Sequence, residues 1–328
     1  MESVILVTGG AGYIGTNIIT KLAERKYKIV CLDNFSNSYD FAIKRLMNKY
    51  NNISLEQGDM LDDYFMDNLF KKYSFNIVIH MAGKKYVKES FYKTEEYYKN
   101  NIIATQKLLD IMDKYNVTRL IFASSITVYG NAVKQPIKET TKHDPLSPYA
   151  EMKSEGEKII KQWCGKNKSA IVLRMSNPVG ANLELMLGEH SKSDNLSLLP
   201  YLLQNIDKEL KFNGNNHPTK DGSTVRDYIH VEDVAYAYAD ACELNISGFS
   251  VFNIGSGEPG YSVLQMLKEA ERVLNIKAKY SFGPKREGDA SVLITDTSKA
   301  KKELNFKINK TLYDMVDSQN QFYHFIKD

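Results

Sequence analysis

Tyr149 and Lys153 stand four residues apart in Ser147-Pro148-Tyr149-Ala150-Glu151-Met152-Lys153. On a helix that spacing is about one turn, so phenol and ammonium share a face. A tyrosine with its ordinary pKa of about 10 is a poor base at neutral pH. A nearby cation favours the phenolate, which can take the proton of an alcohol while a hydride leaves the same carbon. Ser125, which closes Ser124-Ser125, supplies a hydroxyl that could hold the reacting oxygen. Tyr and Lys at this spacing also decorate many solvated helices. The pair acquires meaning only if the chain provides something to receive the hydride.

Such a receiver is indicated near the N-terminus. Thr8-Gly9-Gly10-Ala11-Gly12-Tyr13-Ile14-Gly15 follows an apolar run, Val4 to Thr8, and opens a helical pattern. Gly9 suits a tight turn, Gly12 lets a pyrophosphate approach backbone at a helix N-terminus, and Gly15 lets helix pack on strand. Gly9, Gly12, Tyr13, Ile14 and Gly15 are therefore candidate contacts of a dinucleotide; a glycine-rich turn without a ligand is the alternative. Asp33 ends the next strand, where a carboxylate accepts from the adenosine ribose diol and repels a 2′-phosphate. The expected cofactor is NAD rather than NADP, and the positive charge of its oxidised ring would further favour a phenolate at Tyr149. Asp59, after the third strand, is a candidate for the adenine edge or simply a solvated strand end. Lys85, in His80-Met81-Ala82-Gly83-Lys84-Lys85, could meet a pyrophosphate or lie in a charged loop.

The elements that must position these groups follow from periodicity. Strands are expected at Val4–Thr8, Lys28–Leu32, Asn52–Glu56, Asn76–His80, Arg119–Ser124 and Ala170–Leu173. Helices are expected from Gly12 to about Arg25, at Tyr64–Lys72, from Tyr97 to about Lys114, and from Pro148 to about Cys164. Six strands with helical crossovers predict an α/β fold: a doubly wound, parallel, Rossmann-type sheet with helices on both faces. Ser125, Tyr149 and Lys153 then lie above the C-terminal edge of the sheet, where a nicotinamide would sit. After Pro178 the rhythm breaks, and 182–197 is polar and irregular. A smaller, interleaved C-terminal substrate lobe accounts for this. The expected division is 1–178 for the NAD-binding domain, with 229–255 returning to it, and 179–228 plus 256–328 for the substrate lobe.

Composition excludes several classes. Lys plus Arg is 43 and Asp plus Glu is 40, so a net charge of +3 gives no general case for a nucleic-acid partner. No window approaches the roughly 20 apolar residues of a membrane span, and no signal peptide is expected. Cys31, Cys164 and Cys242 are too few and too scattered for a disulfide framework or metal cluster. His80, His217 and His230 have no metal-binding spacing, and packing or loop hydrogen bonds are their expected use. A metal is not expected, and a reducing cytoplasm is the expected compartment.

The assembled motifs resemble the extended short-chain dehydrogenase/reductase family and, within it, the UDP-glucose (UDP-galactose) 4-epimerases. The shared segments run from Val4 to about residue 313: VTGGAGYIG, LDNFSNS, GD at 58–59, HMAGKK, SSITVYG, SPYAEMK, NPVGA, DGSTVRDYIHVEDVA and KREGD. The glycine motif is specific only to the superfamily, whereas VRDYIHV with REGD points to nucleotide-sugar enzymes. The resemblance implies that Ser125 and Tyr149 move the proton, with Lys153 as helper. It implies that Asp33, Asn34, Asp59, Met60, Lys85 and Asn100 surround NAD, and that Asn177 lies at the substrate. Arg226, Arg286 and Asp289 match groups that hold the nucleotide diphosphate and uridine ribose of a UDP-sugar. In this family NAD stays bound while the sugar is oxidised at C4, swings about its diphosphate anchor and is reduced on its opposite face. The resemblance also suggests a homodimer through helices 97–114 and 148–164.

The departures bear on specificity. The family usually has Tyr-Phe before NPVGA, where this chain has Met175-Ser176. Usual Asn and Phe contacts are replaced by Ser197 and Asn213, and Leu293 stands at the sugar-pocket gate. These changes leave open a bulkier sugar such as an N-acetylhexosamine. The stretch Ser124-Ser125-Ile126 lacks the acidic group that a dehydratase needs beside its hydroxyl. Another NAD(P)-dependent nucleotide-sugar oxidoreductase or reductase, and a noncatalytic dinucleotide-binding protein, remain alternative readings.

Overall fold

The strand Ile77–His80, with the aliphatic run Ile77-Val78-Ile79, is buried on both faces, as the centre of a helix-covered sheet requires. It is one of seven parallel strands in the computed structural model, which describes residues 3–165, 167–192, 195–285 and 290–327. The strands in chain order are β1 (Val4–Thr8), β2 (Lys28–Asp33), β3 (Ile53–Gln57), β4 (Ile77–His80), β5 (Arg119–Ser125) and β6 (Ser169–Met175). Short strands β7 (Asn177–Val179), β8 (Glu209–Asn213), β9 (Val225–Arg226) and β10 (Tyr228–His230) then precede β11 (Gly248–Ile254). The sheet order is β11-β6-β5-β4-β1-β2-β3. The winding reverses between β1 and β4, whose last pairs include Thr8 with His80. That reversal opens a crevice beyond the strand ends.

Six strands were expected and seven are found. β11 extends the edge beyond β6, pairing Gly248 with Ser169 through Ile254 with Met175. Its first half is only partly buried, so it lacks the continuous apolar signature of a central strand.

Helices α1 (Tyr13–Glu24) and α2 (Asp40–Lys49) lie on one face of the sheet, and α3 (Asp63–Lys72) on the other. The expected helix at 97–114 begins earlier and is interrupted. After α4 (Val87–Ser90) come α5 (Thr94–Tyr98), a π turn at Lys99–Ile103 and α6 (Ala104–Lys114). A π turn inserts one residue and rotates the side chains that follow. Here Asn100 lines the crevice while Asn101 binds the backbone of Lys84 through both amide atoms, at 2.7 and 3.0 Å. Helix α7 (Pro148–Trp163) carries Tyr149 and Lys153.

The remaining helices are α8 (Leu198–Asn205), α9 (Val231–Glu243), α10 (Val263–Leu274), α11 (Ser298–Glu303) and α12 (Leu312–Phe325). Helix α9 returns to the sheet face beside α1, with Val234, Ala235 and Tyr238 in the same apolar layer as Ile18 and Leu22. A separate apolar cluster joins α8, α10 and α12 through Leu199, Leu202, Met266, Leu267, Met315 and Val316. Three small sheets complete this second region, using β12 (Tyr261–Ser262), β13 (Lys279–Gly283) and β14 (Val292–Leu293). Among the described residues, no helix is long and apolar enough to cross a membrane.

Candidate active site

Close backbone approach explains the glycines. Gly9 has φ +67°, and a Cβ there would sit 2.8 Å from the backbone of Ala82 across the crevice. A Cβ on Gly15 would lie 2.5 Å from the carbonyl oxygen of Gly9, which backbone cannot yield. Gly12 caps α1, so the helix N-terminus points unobstructed into the crevice.

The crevice has a volume of about 400 Å³. Its walls bring together Gly9, Gly12, Tyr13, Ile14, Gly15, Asp33, Asn34, Asp59, Met60, Lys85 and Asn100. Asp33 is fixed at the end of β2: Oδ2 accepts from the Ala11 amide at 3.0 Å, and Oδ1 from Phe35 N and Ser38 Oγ at 2.9 and 2.8 Å. Asp59 accepts from Leu61 N at 2.9 Å and from Asn34 Nδ2 at 3.2 Å, so it braces Asn34 as well as facing the crevice. A side-chain-free helix start, a held carboxylate at the second strand and a lysine further along are the donors and acceptors a dinucleotide requires. The residues present fit NAD.

The fourth wall was not legible in the sequence. Glu189, His190, Ser191 and Lys192 line the crevice from the segment that reads only as irregular. Lys192 binds the far rim, donating from its backbone to Asn37 O at 3.1 Å and from Nζ to Phe35 O at 2.7 Å. The His190 ring stacks on Tyr39 at 4.5 Å, Ser191 meets the Tyr86 hydroxyl at 2.9 Å, and Glu189 pairs with Lys85 at 2.8 Å. Ser197, read as a substrate-side position, caps α8 and donates to Glu189 at 2.7 Å.

The reactive groups meet beyond the Lys85 end of this crevice. Ser147 caps α7 and Pro148 opens it, so Tyr149 is held in the first turn, where its amide donates to Ser90 Oγ at 3.2 Å. The Tyr149 phenol is buried, and burial pushes its pKa up. A hydrogen bond with Ser125 and the charge of Lys85 pull it down. Lys153 lies 5.9 Å from the Tyr149 ring centre and donates to Ala123 O at 2.7 Å. Burial lowers its pKa to about 8, with Glu157 opposing. Lys153 thus lies on the same face as the phenol, as its spacing predicts, and Lys85, from the loop after β4, brings a second positive charge toward it. Ser125 Oγ accepts from the amide and hydroxyl of Thr127 at 3.2 and 3.0 Å, which fixes its direction.

The remaining candidates lie toward the second region. Asn177 is in β7, held by its amide to Asp227 O at 2.9 Å. Arg226 in β9 is half-buried between Tyr261 and Leu293. Leu293 is buried with Ile126, Val128, Tyr129, Ile137 and Ala290, immediately beside the Ser125 turn. Asn213 ends β8 opposite Gly283. Arg286 and Asp289 lie outside the described residues. Met175 sits under the Tyr238 hydroxyl at 3.5 Å, and Ser176 Oγ is satisfied by Ile254 O at 2.9 Å, so neither stands in for an aromatic ring.

Asp227 was passed over in the sequence, where an acid inside VRDYIHV gives no burial signal. It is fully buried and accepts from Ser256 N, Gly257 N, Thr295 N and Thr295 Oγ1 at 2.6, 3.1, 3.2 and 2.5 Å. It thereby joins the substrate-side loops to the end of β11. The histidines are structural: His80 bridges Thr8 and Thr105, His217 meets Ser291, and His230 caps α9 and meets Ser318. No group of ligands that could hold a metal occurs among the described residues.

A family model described as the NAD dependent epimerase/dehydratase family matches residues 5–255. A UDP-glucose 4-epimerase of Bacillus subtilis is 39% identical over 319 residues, covering 95% of this chain and 94% of that protein. The solved UDP-glucose 4-epimerase of Bifidobacterium longum, in complex with NAD+ and UDP, superposes with a TM-score of 0.94 at 36% identity over 98% of each chain. That of Stenotrophomonas maltophila, with bound NAD and formylated UDP-arabinopyranose, gives 0.95 at 31% identity over 99% of each chain.

Proposed function

The chain belongs to the NAD dependent epimerase/dehydratase family, and from that premise we propose that it interconverts UDP-hexoses by NAD-dependent epimerisation at C4. The observation that carries this reading is the meeting of a buried tyrosine, a directed serine hydroxyl and two lysines at the end of a dinucleotide crevice.

Bound NAD supplies the hydride acceptor and donor. The glycine turn would hold its pyrophosphate, Asp33 its adenosine ribose and Lys153 its nicotinamide ribose. Tyr149 takes and returns the proton of the sugar hydroxyl, and Ser125 holds that oxygen in line. Lys85 supplies the positive charge that a phenolate needs in a buried site. Arg226, with Arg286 and Asp289, grips the nucleotide end. The hexose end must stay loose, since both faces of C4 have to be presented. The protein should therefore convert UDP-galactose to UDP-glucose, followed by NMR, with no cofactor added. Strict dependence on added NADH, with its net oxidation, would instead identify a reductase.

Leu293 shapes the sugar wall, supported by its place beside the Ser125 turn. With Met175 and Ser176 where larger rings are usual, the pocket has room for an acetamido group. UDP-N-acetylglucosamine should turn over in the same assay, and no product from it would reject this extension. The lobes divide as 1–178 with 229–255, and 179–228 with 256–328, supported by β11 joining the main sheet.

The chain works as a homodimer in a reducing cytoplasm, where Cys31, Cys164 and Cys242 remain thiols. Support for the dimer comes from Phe91, Tyr92 and Tyr98, exposed beside α4, α5 and α7. Light scattering should give twice the 37.4 kDa chain mass, and a monomer at micromolar concentration would exclude it.

A further inference from the structure

Behind the reactive groups lies buried charge for which the chemistry above has no use. Glu157, one helical turn past Lys153 on α7, and Arg174, on β6, are 3% and 4% exposed. They form a two-point ion pair, Nε to Oε1 at 2.9 Å and Nη2 to Oε2 at 2.6 Å. Burying such a pair seldom adds stability over an apolar pair of the same volume. What it does add is a fixed geometry and a fixed charge.

The two elements that carry Ser125 and the Tyr149–Lys153 turn are both tied to this pair. Ser124, the neighbour of Ser125 on β5, donates its hydroxyl to Glu157 Oε1 at 2.5 Å. Alternate strand residues face opposite ways, so Ser124 anchors one face while Ser125 presents the other. Arg174 also donates to Tyr129 OH at 2.7 Å, Glu139 O at 3.1 Å and His143 Nε2 at 2.6 Å. A guanidinium only donates, so His143 Nε2 must accept. The imidazole proton is therefore on Nδ1, directed at Ser154 Oγ of α7 at 2.7 Å. Helix α7 is thus tied back twice, through Glu157 and through Ser154.

We propose that Glu157, locked by Arg174, is a positioning residue for the epimerase reaction: it sets Ser124-Ser125 and the Tyr149–Lys153 turn in register and faces Lys153 with negative charge. This rests on the function proposed above. The Glu157 carboxylate favours the charged form of the buried Lys153 ammonium. The other groups around the site come from separate elements: His80 from β4, whose imidazole feels Lys153, Lys85 from the loop after β4, Tyr97 from α5 and Tyr238 from α9. None of these supplies a second anion to Lys153, so the charge that keeps it protonated is Glu157.

The test compares Glu157→Gln with the double variant Glu157→Gln/Arg174→Met, which leaves no guanidinium unpaired. Three readouts are needed: the pH dependence of kcat, thermal stability, and the titration of Lys153 by NMR of protein carrying 13Cε-lysine, assigned with Lys153→Met. In Glu157→Gln Lys153 should titrate about one unit lower, since an opposite charge nearby shifts a buried group by that order or more, and in the double variant it should move the same way by a smaller step, because a cation is removed with the anion. The alkaline limb of kcat should move with it, and kcat at neutral pH should fall about tenfold or more. The double variant should regain thermal stability lost by the single one while regaining the titration only in part; if Glu157→Gln does not fold, it carries the comparison alone. Unchanged Lys153 titration and kcat profile in a folded double variant would reduce the pair to a structural fastening and overturn the proposal. Loss of the proposed function reads differently: wild-type protein would then show no epimerisation, while the lysine titration would still report on Glu157.

Discussion

Tyr149→Phe should fold, retain its cofactor and lose turnover by about a thousandfold or more. The substitution removes one oxygen and keeps the ring, which packs with Tyr97, Ile102 and Met152. Stability should therefore change by less than about 1 kcal/mol, the usual range for a shape-preserving change. Chemistry has no substitute. Ser125 is held as an acceptor by Thr127, and Lys153 is committed to Ala123 O. Positioned acid–base groups contribute about 10²- to 10⁴-fold, and here the same atom must both remove and return the proton. Burial raises the Tyr149 pKa, so wild-type turnover should rise with pH on the acid side as the phenolate forms, and that limb should vanish in the variant. Cofactor absorbance, thermal melting and NMR of the sugar products measure the three parts separately. A rate within tenfold of wild type would remove Tyr149 from the chemistry.

The legible parts of this molecule were those where a local rule leaves little freedom. The turn from Gly9 to Gly15 could be read because its first and last glycines answer close backbone contacts. Tyr149 and Lys153 could be read because helical spacing alone places them together. The C-terminal edge of the sheet followed from strand periodicity. What escaped was decided by tertiary contact. The π turn at 99–103 sets Asn100 in the crevice and Asn101 on the Lys84 backbone, and no propensity announces it. The wall at 189–192 is held by backbone carbonyls of 35 and 37, which are invisible to any side-chain pattern. Lys85 brings its charge near the phenol because of where its loop leaves β4, and β11 joins the sheet with only half of an apolar face. The buried pair of Glu157 and Arg174 looks, in sequence, like two ordinary surface charges.

Acidification from pH 7 to 4.5 should destabilise the protein by about 3 kcal/mol, through histidines that the fold keeps neutral. His80 is 1% exposed between two threonine hydroxyls, and burial drives its pKa down to about 3, assisted by the charge of Lys153. His230, also 1% exposed, falls to about 4 through burial and Lys310, with Asp314 opposing. In the unfolded chain both titrate near about 6.5. The unfolded state therefore binds more protons between that pH and the folded values. Stability is fully present above about 6.5 and is lost as pH falls below it, by about 1.4 kcal/mol per unit per histidine. Asp227 works the other way. Burial raises its pKa to about 6, so its protonation favours the folded state as pH falls from there toward about 3.8. Two histidines against one carboxyl leave a net loss of about 3 kcal/mol over the interval, a large part of a typical 5–15 kcal/mol stability. Carboxylates held low by ion pairs, such as Glu56 and Glu89, add their loss only below that interval. His143 adds to it, since a protonated ring could not accept from Arg174, and Asp233 and Asp240, held above the usual carboxylate range by burial, oppose it. Urea midpoints at pH 7 and 4.5 measure the difference. Replacing His80 by Asn should lower stability at pH 7 yet remove most of the net dependence on pH, since His80 alone contributes about 2.5 kcal/mol of it. A midpoint that holds steady to pH 4.5 would mean that these imidazoles take up protons in place, at odds with the enclosure the fold gives them.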